Sequence, residues 1–124
     1  MAKFFLGVLS LFLLVPASAA TATLQSSGVV CSVRFVPQEH PVYGSVWASF
    51  VLGKNGDCTG KGNQVDLTVA TTGGSAMSAK FSPEQLISLV QMLQQAKYQG
   101  APVHVRYWDN GSSSHDLIAD FITF

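Results

Sequence analysis

The sequence predicts a mainly β domain with a single helix, and three observations lead to that expectation. Apolar and polar residues alternate over three short segments in the first part of the chain; one segment ending at Gly100 has helical periodicity, with start and stop signals at its two ends; two more alternating segments follow it. The order is therefore β-β-β-α-β-β. This is the order of the OB-fold, a five-stranded, partly open Greek-key barrel with its helix between the third and fourth strands.

The first strand is "GVVCSVRFV" at 28–36, with Val29, Cys31, Val33 and Phe35 expected on one face. "SVWASFVL" at 45–52 alternates Val46, Ala48, Phe50 and Leu52, and "QVDLTVA" at 64–70 alternates Val65, Leu67 and Val69. The helix lies in "FSPEQLISLVQMLQQAKYQG", where Ser82 can cap, Pro83 takes the first helical position and Gln85 closes a Ser-x-x-Gln box. Phe81 and Leu86 are spaced for a hydrophobic staple, and Gly100 with Pro102 ends the run. Leu86, Leu89, Val90, Leu93 and Ala96 form its buried stripe, and Ile87 and Met92 fall outside it. "PVHVRYW" at 102–108 sets Val103, Val105 and Tyr107 against His104, Arg106 and Trp108. "DLIADFITF" closes the chain, with Leu117, Ala119 and Phe121 on one side.

Before these elements, "MAKFFLGVLSLFLLVPASAA" combines a basic Lys3, an apolar run and small residues at Ala17 and Ala19, the pattern of a cleaved secretory signal peptide. The run from Phe4 to Val15 is about 12 residues, short of the roughly 20 that a spanning helix needs. Residues 1–19 are thus expected to be removed, leaving 20–124 as a single exported domain, secreted or periplasmic, with no transmembrane anchor. Loss of Lys3 leaves six basic against seven acidic side chains, and no basic patch for a nucleic-acid backbone is visible.

Cys31 and Cys58 are the only cysteines, and in an oxidising compartment they are expected to pair. The chain-entropy model gives such a cross-link about 3 to 4 kcal/mol. No CxxC or HxxxH spacing accompanies them, so zinc is not expected. Nor does catalysis find support: no Ser, Cys or Lys sits in a nucleophile motif. Asp116 and Asp120, four strand positions apart, would lie about 13 Å from each other, too far for a glycosidase pair. Neither an enzyme nor a cofactor is expected.

The segment "RYWDNGSSSHDL" places Trp108 at the end of the fourth strand, before the loop that flanks the usual ligand face of this barrel. Two readings stand. In one, Trp108 is a stacking platform at the rim, with Asn110, Ser112 and Ser113 bonding the polar edges of a sugar and Arg106 offering its fork to a ligand carboxylate. In the other, Trp108 covers the barrel end and "DNGSSS" is a hairpin connection signalled by Asn-Gly.

The strand order, the export signal, the long helix and the tail "VRYWDNGSSSHDLIADFITF" resemble the B subunits of AB5 bacterial toxins, OB-fold proteins that form ring pentamers and bind host-surface glycans. In the cholera and heat-labile enterotoxin branch a Trp followed two positions later by Asn contacts galactose, a pattern that Trp108 and Asn110 match. Gly111 stands where that branch has lysine, the loop is one residue longer, and Cys31 and Cys58 do not join the strands that branch joins. The subtilase-cytotoxin and typhoid-toxin branch is similar in "GAPVHVRYW" and in placing a sialic-acid-binding serine before a first strand, where "SSGVV" has Ser27. The resemblance implies a glycan-binding homo-oligomer, a pentamer in the toxins, with galactose or sialic acid as ligand and a toxin A subunit as a further partner. The competing class is a small periplasmic interaction or structural protein of the same fold without a sugar site.

Overall fold

The computed structural model describes residues 24–75, 81–109 and 117–124, apart from the side chain of Phe121. The expected signal peptide and the loop residues Asn110, Ser112 and Ser113 lie outside them. Five strands, β1 (Leu24–Val36), β2 (Trp47–Gly53), β3 (Gln64–Val69), β4 (Pro102–Asp109) and β5 (Leu117–Thr123), and one helix, α1 (Pro83–Gln99), follow in the expected order. The strands close into a barrel in the spatial order β1-β2-β3-β5-β4, with β1 also paired to β4. All neighbours are antiparallel except β3 and β5, which meet in parallel with Thr68 opposite Ile118. The chain is an OB-fold-like barrel.

Helix α1 forms where its local signals agree. Ser82 accepts from the Gln85 N–H at 3.2 Å, and the Gln85 side chain accepts from the Ser82 N–H at 2.9 Å, completing the capping box. At the other end Gly100 takes a left-handed conformation, φ 65°, that a side chain would disfavour. The buried stripe is Leu86, Leu89, Val90, Leu93 and Ala96, as the periodicity predicts. It joins Ala48, Phe50, Leu52, Val65, Leu67, Val69, Val103, Val105 and Tyr107 in one core, with Phe81 packed against it.

Two strands depart from simple alternation, each through a bulge. On β1 the register steps from Val30 opposite Leu52 to Ser32 opposite Val51, leaving Cys31 as the extra residue. Val30, rather than the expected Val29, therefore enters the core, and Phe35 stays 37% exposed. The bulged Cys31 is bonded to Cys58, with S–S 2.08 Å and Cα–Cα 5.5 Å, so the expected pairing holds. On β5, Arg106 of β4 faces Phe121 and Tyr107 faces Ala119, so Asp120 is the extra residue. Leu117 and Ala119, and beyond the bulge Ile122, pack inward; the side chain of Phe121, expected with them, lies outside the described residues.

β1 also starts four residues earlier than its apolar pattern indicates, at Leu24. That polar extension pairs with β4 rather than β2.

Candidate binding site

The extension of β1 builds a polar surface on the outside of the barrel. Its pairing sets Ser27 opposite His104 and Gln25 opposite Arg106, and β5 adds Thr123 opposite His104 on the far side. Val105 points inward to the core, so its neighbours His104 and Arg106 must face out. Between them lies a depression of about 400 Å³ lined by Gln25, Ser26, Ser27, His104, Arg106 and Thr123, with Val105 at its base.

The bulge on β5 supplies a partner for Arg106, which lines the trough. The extra residue, Asp120, meets Arg106 in a two-pronged pair, with Nε donating to Oδ1 at 3.0 Å and Nη2 to Oδ2 at 3.2 Å. The Asp120 side chain is 8% exposed and that of Arg106 is 41% exposed, so the guanidinium covers the carboxylate. The hydrogen bonds and charge of Asp120 raise the Arg106 pKa further above its ordinary value. Asp120 thus occupies two nitrogens of the fork expected to meet a ligand carboxylate. The rest of the outward face offers the hydroxyls of Ser27 and Thr123, an amide and an imidazole, groups that between them both donate and accept.

Trp108 requires the larger correction. Alternation does send its side chain away from the main core, together with His104 and Arg106, yet the indole is only 5% exposed. It belongs to a second cluster with Tyr43, Ala70 and Ile118, against which Val42 and Trp47 pack. The connection between β1 and β2 covers this cluster. His40 stacks on Tyr43 at 4.3 Å between ring centroids, and its Nδ1 accepts from the N–H groups of Val42 at 3.1 Å and Tyr43 at 3.3 Å. Trp47 packs beside Tyr43 at 5.0 Å, with the Arg34 guanidinium 5.3 Å from its ring. Trp108 thus covers the barrel end and has no open face for a sugar. Its Nε1 has no hydrogen-bond partner among the described residues.

Of the residues singled out from sequence, Ser27 and Arg106 come together, and Trp108 lies apart from them in the second cluster. Gln25, Ser26, Asp120 and Thr123 were not anticipated as lining or supporting a site. The available signal was the polar run "QSSG" next to an alternating strand, which reads equally well as a loop. Among the described residues no cluster of three His, Cys, Asp or Glu side chains is arranged to hold a metal, and no helix is long and apolar enough to cross a membrane. Comparison of the chain with protein-family models, curated proteins and solved structures finds no match.

Proposed function

We propose that this is an exported glycan-binding protein of the toxin B-subunit type, acting as an oligomer on cell-surface sugars such as galactose or sialic acid, with a toxin A subunit as a further partner. The observation that carries the reading is the trough between β1 and β4, which brings Ser27 and Arg106 into one polar depression. Its size suits one or two sugar rings, and its hydroxyl and amide groups suit the mixed donors and acceptors of a sugar edge. The polar contacts belong to Ser27, Gln25 and His104 instead of Trp108. The Cys31–Cys58 bond agrees with passage through an oxidising compartment.

A glycan array probed with the exported, processed protein tests this directly. Binding should appear, and Ser27→Ala should weaken it about three- to tenfold through loss of one hydrogen bond, leaving the melting temperature unchanged. Silence across the array would instead favour the interaction-protein reading. That alternative is supported by two apolar side chains flanking the buried stripe of α1, Ile87 and Met92, which are 46% and 49% exposed.

A further inference from the structure

We infer that the Arg106–Asp120 pair makes this trough selective for uncharged, hydroxyl-rich sugars over sugars that carry a carboxylate. The inference rests on the glycan-binding reading and, of the two sugars named there, favours galactose over sialic acid. An arginine in a polar depression is ordinarily the strongest attraction for an acidic ligand, because its planar fork matches a carboxylate. Here the matching partner is already supplied by the chain. Asp120 lies at the β5 bulge, beside Arg106 on the paired strand, and holds both Nε and Nη2.

An incoming carboxylate must compete with a carboxylate fixed on the adjacent strand, an intramolecular partner of high effective concentration. It also meets a pair whose charges largely cancel, so less of the desolvation cost of a new anion is repaid than by a lone guanidinium. A neutral sugar loses little by comparison. Its hydroxyls both donate and accept, and Ser27, Thr123 and Gln25 lie on the outward face of the same depression to exchange those bonds. The exposed part of the Arg106 side chain can line the ligand without giving up Asp120.

The test is calorimetric titration of the exported, processed protein at pH 8. Three pairs of sugars serve as probes: methyl galactoside and methyl galacturonide, methyl glucoside and methyl glucuronide, lactose and sialyllactose. The neutral member should bind about tenfold more tightly in every pair that binds at all. Asp120→Asn keeps the shape and one acceptor but removes the compensating charge; it should narrow that preference about three- to tenfold, with retained binding of the neutral sugar as proof of folding.

If the substituted protein does not fold, the salt response of the wild type decides. Neutral-sugar binding should be flat up to about 0.5 M salt, whereas an anion held by Arg106 would be released. Tighter binding of an acidic member by the wild type would overturn the selectivity and leave the glycan reading in place. Absence of binding to all six sugars and to the array would overturn both.

Discussion

An indole that is 5% exposed contributes through packing, and its removal is felt as lost stability. Trp108→Ala should cost about 3 to 5 kcal/mol in urea denaturation, the range for deleting a large buried aromatic. Trp108→Phe should cost distinctly less, because it also removes an Nε1–H that has no partner among the described residues. Sugar binding in the trough should survive Trp108→Phe; its loss with stability intact would return the ring to the binding site. Asp57 sets a second expectation at this scale. Its carboxylate accepts from the Asn63 side chain at 2.9 Å, from the Thr59 N–H at 2.9 Å and hydroxyl at 2.8 Å, and from the Gly60 N–H at 3.1 Å. Asn63 first, then Thr59 and Gly60, hold its pKa well below the ordinary 3.8. A carboxyl group whose folded pKa lies below its unfolded one contributes stability above the unfolded value and loses it as pH falls through the folded one. Thermal melts of the wild type should therefore fall with acidification below about pH 4, and Asp57→Asn should flatten that fall.

At the scale of elements, the β1–β2 connection determines which outward-facing residues are covered. Its fold depends on Gly44, whose φ of 97° is left-handed and which exchanges backbone hydrogen bonds with His40 at 2.8 and 2.9 Å. A Cβ at Gly44 would collide with both the hydroxyl and the carbonyl of Thr71. Thr71 is itself fully buried and donates its hydroxyl to the Val46 carbonyl at 2.7 Å. Gly44→Ala should cost about 1 to 3 kcal/mol and shift tryptophan fluorescence to the red as the cover over Trp108 loosens. This connection also marks the limit of what could be read from sequence. Helix α1 was legible to the residue, because capping and periodicity are local signals. The strands were legible as segments, but the bulges at Cys31 and Asp120 were not, because register is set by the partner strand. Trp108 shows the same limit: alternation gives the direction of the ring, and only the fold of residues far away in the chain decides whether that direction meets water.

For the whole molecule, each described strand has a neighbour on both sides, β3 and β5 meeting at Thr68 and Ile118, so association is expected to use side-chain surfaces. The trough is polar and suits small ligands better than protein. The outer side of α1 differs: Met92 and Phe124, each 49% exposed, meet in a groove with Phe81, Ile122 and Leu89. Core packing explains Leu89, Phe81 and Ile122 but not Met92 and Phe124, which lie beyond it. If the protein works as a multivalent lectin, this strip is where its copies should meet, since several weak sugar sites on one assembly bind a surface far more tightly than one site alone. Light scattering on the processed protein should then give a mass several times that of the monomer. Met92→Glu should reduce it to one chain, since a charge placed in an apolar interface cannot be solvated there. As a change at a half-exposed helix position, it should leave stability within about 0.5 kcal/mol of the wild type. A monomeric wild type would remove the toxin-subunit part of the reading. The trough would then act as a single site, with affinity limited to what one depression of about 400 Å³ can provide.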